Sequence, residues 1–363
     1  MGRSVIAEGL PLDGNMLAQD LDHILDHTRP LWEDLRGERV FIAGGTGFLG
    51  CWLLESFVWA NQRLNLKASA TVLTRNVNRL REKVPHLVDD PSLHVVEADI
   101  ISFAALKGRH AFAVHAAVGY GDGRSDSQEA GLIETMLTGT ERLVRIAAKA
   151  SVERLLLVST GAVYGPQPAN GCGMSEEWSG APDPLDPGSF YAEVRRAMEA
   201  LCMVLGRRYN IQVPVARGFS FVGPYLPLNG QFAIGNFLRD SLLGDPITIR
   251  GDGTPCRSYL YAADAAIWLW TVLFRGDGSR AYNVGSDIRT TIREAADAVA
   301  EVVRPRPSVV VSGIPGAGVA GQEYVPAVTR ARSELGLQQW IPLGEAIART
   351  VEWERRRMAK GVR

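Results

Sequence analysis

Short apolar segments alternate with longer segments of helical periodicity over most of this chain. The apolar segments that predict buried strands lie at residues 39–43, 70–74, 93–97, 112–115, 154–159 and 213–217. The segments whose apolar residues recur at helical spacing lie at residues 48–58, 127–150 and 190–209. Short strands separated by helices are typical of parallel β-α-β units, because crossover helices cover the faces of the sheet. The pattern therefore predicts an α/β fold built on a doubly wound parallel sheet.

Three parts of the chain depart from this alternation of predicted strands and helices. Residues 1–35 predict an N-terminal helical extension, and we expect Pro30 to break its helix because proline lacks a backbone N–H donor. Residues 166–188 are rich in proline and glycine and predict an irregular loop. After Gly223 the alternation loosens, although residues 281–285 predict a late strand that returns to the main sheet.

Composition and charge narrow the class of protein. The chain has 363 residues, of which 46% are hydrophobic and 22% charged, as in a globular protein with a core. Its 39 Lys and Arg residues balance 40 Asp and Glu residues, so neither nucleic acid nor an anionic membrane is the expected partner. Four cysteines, at positions 51, 172, 202 and 256, lack the spacing of a zinc site or a disulfide framework. We expect a cytoplasmic protein without a membrane helix, since no stretch of about 18 apolar residues occurs.

Glycines follow the first predicted strand directly. Gly44, Gly47 and Gly50 form a Gly-x-x-Gly-x-x-Gly turn that opens a predicted helix. In such a turn the first glycine permits a tight bend and the second lets a pyrophosphate approach the backbone. The third lets the helix pack on the strand, so that the helix N-terminus faces the phosphates. Because a strand precedes the turn and a helix follows it, we predict a dinucleotide site.

The form of the dinucleotide stays open. A carboxylate after the second strand would bind the adenosine ribose and favour NAD, but no Asp or Glu occurs between Ser56 and Arg81. The strand is followed by Arg75, whose guanidinium suits the 2′-phosphate of NADP. The alternative is that Arg75 is a solvated loop residue that stacks on adenine. The cofactor is therefore NAD or NADP.

Several motifs occur in an order that resembles a known family. They are Gly44–Gly50, Glu97–Ile100, His115–Ala117, Ser159–Gly165, the helix that carries Tyr191, Arg217–Pro224 and Gly251–Arg257. Over about residues 38–355 the chain resembles the extended short-chain dehydrogenase/reductase family of nucleotide-sugar epimerases, dehydratases and decarboxylases. The resemblance implies a homodimer with a Rossmann domain for the dinucleotide and a smaller α/β C-terminal lobe for a nucleotide-linked sugar. We assign residues 36–216 and 259–285 to the Rossmann domain, and residues 217–258 and 286–363 to the second lobe.

The resemblance also implies a catalytic group. Thr160 matches the residue that hydrogen-bonds the reacting sugar hydroxyl, and Tyr191 matches the tyrosine that exchanges its proton. Four residues on, where the family has lysine, this chain has Arg195. Arginine keeps the cation, but its planar fork is larger than an ammonium group. Altered or weakened catalysis is therefore an open alternative.

The remaining site residues follow from the same resemblance. The expected cofactor-binding residues are Gly44, Thr46, Gly47, Phe48, Leu49, Gly50, Arg75, Asp99, Ile100, Ala116, Ala117, Tyr191 and Arg195. The expected substrate-binding residues are Thr160, Arg217, Ser220, Asn236 and Arg257, although Arg257 alone could form a surface ion pair and Asn236 a helix cap. No metal site is predicted, because His23 and His27 have the spacing of a ligand pair but lack a third ligand.

The residues after Thr160 narrow the set of reactions that this chain could catalyse. The family's 4,6-dehydratases have Asp-Glu there, whereas this chain has Gly161 and Ala162, which can act neither as acid nor as base. We therefore predict an NAD(P)-dependent enzyme that epimerises a nucleotide-activated sugar through a transient keto sugar, and disfavour a 4,6-dehydratase. The alternatives are an NADPH-dependent keto-sugar reductase, and a non-catalytic homologue that binds both ligands, which Arg195 would favour.

Overall fold

The computed structural model describes residues 15–117, 126–167, 173–230, 232–313 and 323–359. Its strands are β1 (Arg39–Ala43), β2 (Ser69–Thr74), β3 (Leu93–Glu97), β4 (Phe112–His115), β5 (Arg154–Thr160), β6 (Val215–Gly218), β7 (Phe221–Val222), β8 (Ile247–Ile249), β9 (Cys256–Arg257), β10 (Leu260–Tyr261), β11 (Ala281–Val284), β12 (Thr290–Thr291), β13 (Val309–Val311) and β14 (Glu323–Tyr324). Its helices are α1 (Ala18–Thr28), α2 (Phe48–Leu64), α3 (Val77–Lys83), α4 (Pro85–Val88), α5 (Asp126–Lys149), α6 (Phe190–Tyr209), α7 (Ala233–Leu243), α8 (Ala262–Arg275), α9 (Ile292–Val302), α10 (Thr329–Leu335) and α11 (Leu343–Ala359).

The central sheet has seven strands in the order β11-β6-β5-β4-β1-β2-β3, and all neighbouring strands are parallel. The predicted doubly wound Rossmann sheet is thereby confirmed, including the late strand β11. The strand order reverses between β1 and β4. In open α/β sheets, ligands bind outside the carboxyl ends of the strands at such a switch point.

Both faces of the sheet are covered at β1, where the four consecutive residues 40–43 are buried. Val40 and Ile42 of β1 point into a core formed with α1, α2 and α8. Phe41 and Ala43 point to the opposite face, where α5 and α6 pack. A strand whose two faces are both covered lacks the polar alternation of an exposed sheet, which explains why β1 is recognisable from sequence.

The N-terminal extension packs on the first of these two faces. Helix α1 ends at Thr28 and is followed by a 3₁₀ helix at Arg29–Leu35, so the predicted break at Pro30 is confirmed. The carboxylate of Asp20 accepts a hydrogen bond from the Tyr261 hydroxyl at 2.6 Å. Residues 1–14 of the predicted extension lie outside the described residues.

The strands after β6, apart from β11, form three small sheets within the described residues. Strand β7 pairs with β10, β8 pairs with β13, and β9 lies between β12 and β14. In the last sheet Arg257 of β9 is the register partner of Tyr324 of β14. The described part of the predicted irregular loop contacts the residue after β14, since Met174 N donates to Val325 O at 2.8 Å. The division of the chain into two lobes stays a prediction.

No helix within the described ranges has both the length and the apolar character needed to cross a membrane.

Candidate functional site

The glycine loop, residues 44–50, joins β1 to α2 at the switch point of the sheet. Gly44 has φ +97°, a conformation that disfavours other residues, and a Cβ there would lie 2.5 Å from the Ala116 carbonyl carbon. A Cβ on Gly50 would overlap the carbonyl oxygen of Gly44. Gly47 is the N-cap of α2. A loop without side chains at these positions, at the N-terminus of a 17-residue helix, fits a dinucleotide pyrophosphate.

The other expected cofactor residues lie along the same edge of the sheet. Thr46, Phe48 and Leu49 belong to the glycine loop and the first turn of α2, and Arg75, Asp99, Ile100, Ala116 and Ala117 follow the ends of β2, β3 and β4. Asp99 turns the chain there, since its Oδ1 accepts the backbone N–H of Ile101 at 2.8 Å. Parallel strands thus bring these residues to one edge. Their contacts with a cofactor stay a prediction.

Lys83 is a residue at this edge that sequence analysis missed. It lies at the end of α3, and its Nζ donates to the carbonyl oxygen of Thr46 at 3.0 Å. Arg75 is exposed after β2. Both cations therefore belong to the elements that follow β2, on the side where the adenosine ribose of a dinucleotide is held in Rossmann folds.

A hydroxyl cluster, formed by Thr160, Tyr191 and Tyr324, lies at the end of β5. Thr160 Oγ1 is 3.2 Å from Tyr324 Oη and accepts the backbone N–H of Ala162 at 3.2 Å. Burial raises the pKa of Tyr324 to about 12, and Tyr191 and Arg257 are among the groups whose charges act on it. The structure thus brings Thr160 into contact with a second tyrosine, which sequence analysis missed.

Arg195 lies one helical turn after Tyr191 in α6, with its Cζ 5.8 Å from the centre of the Tyr191 ring. The side chain is buried and donates to the carbonyl oxygen of Val158 in β5. Burial lowers the pKa of its guanidinium. Burial, and then the charge of Arg195, lower the pKa of His115 to about 3, so this histidine is neutral. Arg195 is therefore a buried cation below the hydroxyl cluster.

Arg217, an expected substrate contact, pairs with a carboxylate inside the protein. Its Nη2 donates to Glu199 Oε2 at 2.6 Å, and its guanidinium lies 4.6 Å from the centre of the Tyr164 ring. Glu199 also accepts the hydroxyl of Ser159 at 2.5 Å. This pair neutralises both charges beside β5. A direct contact between Arg217 and the substrate stays a prediction.

The other expected substrate residues are dispersed over the later elements. Arg257 is adjacent to Tyr324 across the β9–β14 ladder and is therefore near the hydroxyl cluster. Asn236 lies in α7, where its Nδ2 donates to Gly230 O at 2.9 Å. Ser220 lies between β6 and β7, and its carbonyl oxygen accepts the N–H of Leu260 at 3.0 Å. Of these three, only Arg257 is linked to the hydroxyl cluster by the contacts described above.

Known proteins resemble this chain over most of its length. Residues 40–285 match the model of the NAD dependent epimerase/dehydratase family. UDP-glucuronic acid decarboxylase 5 of Arabidopsis thaliana is 26% identical over 322 residues, which cover 85% of this chain and 87% of the relative. Thermus thermophilus UDP-glucose 4-epimerase, solved with NAD, is 25% identical with a TM-score of 0.71, covering 87% of this chain and 99% of that one. The dTDP-glucose 4,6-dehydratase DesIV of Streptomyces venezuelae, also solved with NAD, is 26% identical with a TM-score of 0.71, covering 90% and 100%.

The name of each of these relatives contains a nucleotide sugar, but the names specify three different reactions. The family model matches more than half of this chain, from β1 to the residue after β11. The glycine loop has the geometry that dinucleotide binding requires. The chain therefore belongs to the NAD-dependent epimerase/dehydratase family.

Proposed function

We propose that this protein epimerises a nucleotide-activated sugar at a ring carbon through a transient keto sugar. The observation that carries the proposal is the hydroxyl cluster, in which Thr160 Oγ1 lies 3.2 Å from Tyr324 Oη at the end of β5. Tyr191 removes the proton of the sugar hydroxyl and later returns it, while Thr160 hydrogen-bonds the same oxygen. A dinucleotide held at the glycine loop, residues 44–50, would supply the acceptor and donor of hydride. The sugar then leaves with inverted configuration and the cofactor unchanged.

The residues after Thr160 support epimerisation over elimination of water. Removing water across a carbon–carbon bond needs an acid and a base beside the reacting carbons. Gly161 and Ala162, which form the turn after β5, have no ionisable group. Because the curated relative is a UDP-glucuronic acid decarboxylase, loss of the sugar carboxylate is the rival reaction that an experiment must distinguish.

A second candidate is a keto-sugar reductase that uses NADPH. It is favoured by Arg75, which is exposed directly after β2, and by the absence of Asp and Glu between Ser56 and Arg81. Lys83, which contacts the glycine loop, adds a second cation. A guanidinium binds phosphate by charge-assisted hydrogen bonds, so this region suits a 2′-phosphate. NADP is therefore our choice for the reductase, whereas the epimerase reaction works with either form.

Product analysis without added cofactor tests the proposal. The purified protein is incubated with UDP-glucose and, separately, with UDP-glucuronic acid, and the products are identified by NMR. We expect an isomer of at least one substrate, with NAD or NADP released from the denatured protein and identified by mass spectrometry. Neither probe carries a ketone, so a reductase would leave both unchanged, whereas NADPH consumption with an added nucleotide-linked keto sugar favours the reductase. Carbon dioxide release from UDP-glucuronic acid contradicts the epimerase.

The assembly and location of the protein also stay proposals. We expect a homodimer, as the family resemblance implies, in the cytoplasm, as the number and spacing of the cysteines suggest. Light scattering of the purified protein measures the assembly directly, and a monomer mass contradicts it.

A further inference from the structure

The carboxylate of Glu199 joins α6 to the carboxyl ends of two strands. It accepts the Ser159 hydroxyl at 2.5 Å, and the Nε and Nη2 atoms of Arg217 at 3.1 Å and 2.6 Å. Ser159 of β5 and Arg217 of β6 are register partners, and the next pair of the ladder is Thr160 and Gly218. The ion pair between Glu199 and Arg217 is therefore held one residue from the hydroxyl cluster.

The same helix carries the tyrosine of that cluster. Tyr191, Arg195 and Glu199 follow one another at intervals of four residues in α6, so they lie along one side of the helix. The middle residue, Arg195, has its Cζ 5.8 Å from the centre of the Tyr191 ring, and the charges of Tyr191 and Glu199 both act on it. At about 1.5 Å per residue, Glu199 lies about 12 Å along the helix from Tyr191. A charge acts over such a distance in a partly dry site.

Three charged groups thus lie below the hydroxyl cluster. The guanidinium groups of Arg195 and Arg217 are positive and the carboxylate of Glu199 is negative, so their net charge is +1. Solvent screens these charges poorly, since Arg195 is buried and the side chains of Arg217 and Glu199 are 18% and 12% exposed. Removing the charge of Glu199 would leave two positive groups without a counter-ion.

The amount of positive charge matters for the proposed reaction, on which this inference rests. Tyr191 removes a proton and later returns it, so its ionised and neutral forms must both be accessible near the working pH. A second unpaired cation would hold the tyrosine in its ionised form and oppose the return of the proton. We propose that Glu199 is a positioning residue that pairs with Arg217 and so leaves Arg195 as the cation that acts on Tyr191.

Other titratable groups around α6 do not change in the experiment below. Burial shifts the pKa of four of them towards the neutral form, upwards for Tyr164, Cys202 and Tyr324 and downwards for His115. The charged side chains on α6 and on the elements beside it are Arg145, Glu176, Asp186, Glu193, Arg196 and Arg257. Their effect on the tyrosine is common to all the variants.

Two substitutions break the same ion pair but change the charge in opposite directions. Glu199→Gln leaves Arg217 unpaired, and Arg217→Gln leaves Glu199 unpaired. With UDP-glucose and UDP-glucuronic acid as probes, the measurement is the fall of kcat at low pH, where the tyrosine takes up a proton. We expect this acid limb to move to lower pH in Glu199→Gln and to higher pH in Arg217→Gln. Each shift should be roughly one pH unit, as for a unit charge about 10 Å away.

Three controls separate this role from stability. Arg217→Lys keeps the charge and should leave the acid limb in place. The double variant Glu199→Gln/Arg217→Gln removes both charges, so its limb should coincide with that of the wild type although its Tm is lower. Arg349→Gln breaks a comparably buried ion pair with Asp20, between α1 and α11 and away from α6. It should lower Tm without moving the limb.

The direction of the shifts decides the outcome. Shifts of the same sign in the two single variants, or no shift in either, overturn the inference and leave the epimerase proposal standing. Because an unpaired buried charge can prevent folding, the double variant and Arg217→Lys provide the test if a single variant does not fold. A displaced acid limb in either of them overturns the inference. A wild-type protein that converts neither probe overturns the proposed function, and the role of Glu199 with it.

Discussion

The glycine loop and the hydroxyl cluster lie at the same edge of the sheet but are built in different ways. The loop consists of consecutive residues, and its geometry depends on the absence of side chains at Gly44 and Gly50. The cluster depends on single hydroxyl groups, two of which come from residues 164 positions apart. A change in the loop should therefore impair cofactor binding and stability together. A change of one hydroxyl in the cluster should impair turnover alone.

The largest effect that separates the two regions is expected for Tyr191→Phe. The substitution removes the ionisable hydroxyl but keeps the ring, so turnover should fall by about 10³-fold, as for loss of a general acid–base group. Dinucleotide affinity, measured by fluorescence titration, should change little because the glycine loop is intact. A variant with wild-type turnover would remove Tyr191 from the catalytic role.

Arg195→Met tests the cation below the hydroxyl cluster. Removing one charge near the tyrosine in a partly dry site should lower the rate near neutrality by about 10²-fold, with recovery at higher pH. The measurement is the pH–rate profile, with Arg195→Lys as the control that keeps the charge. Wild-type rates for Arg195→Met at every pH contradict this role. The non-catalytic alternative is supported if the wild-type protein binds a nucleotide sugar without turnover and the Arg195→Lys variant shows turnover.

Gly50→Ala tests whether the glycine loop requires a residue without a side chain at this position. The added Cβ would overlap the Gly44 carbonyl oxygen, so we expect a loss of about 1–3 kcal/mol of unfolding free energy and weaker dinucleotide binding. The control is Gly344→Ala in α11, where a Cβ would meet nothing within 4 Å. That variant should be as stable as the wild type or more so. Denaturant unfolding measures both, and equal stability of the two variants contradicts the expected crowding.

The smallest of the four effects is expected for Arg75→Ala. If Arg75 binds a 2′-phosphate, the variant should bind NADP about tenfold more weakly and NAD unchanged, since one charge-assisted hydrogen bond is lost. Arg81→Ala, in the same basic segment and also exposed, is the control. An equal loss for NADP and NAD indicates that Arg75 stacks on adenine instead.

The same contrast explains what could be predicted from the sequence. The strands around β1 and the glycine loop are local features, because apolar runs and glycine spacing specify them within a few residues. The end of α1 at Pro30 is local for the same reason. Tyr324 was missed because a parallel ladder between β9 and β14 brings it beside Arg257, and no motif near residue 324 records that pairing.

The partners of charged residues could not be predicted from the sequence either. Arg217 lies in β6, in a motif associated with substrate, yet its guanidinium pairs with Glu199 of α6. Lys83 reaches the glycine loop only because α3 folds back towards Thr46. Such contacts depend on how helices pack on the sheet, whereas the positions of the strands depend on short apolar runs in the local sequence.

The mass and structure of the product formed in heavy water test the central claim most directly. Hydride transfer through a keto sugar leaves every carbon-bound hydrogen on the sugar, whereas dehydration and decarboxylation form a new carbon–hydrogen bond with a solvent proton. The protein is incubated with UDP-glucose or UDP-glucuronic acid in heavy water, and exchangeable deuterons are then washed out. The account predicts an isomer of unchanged mass. A product with carbon-bound deuterium, or one that has lost water or carbon dioxide, would contradict it.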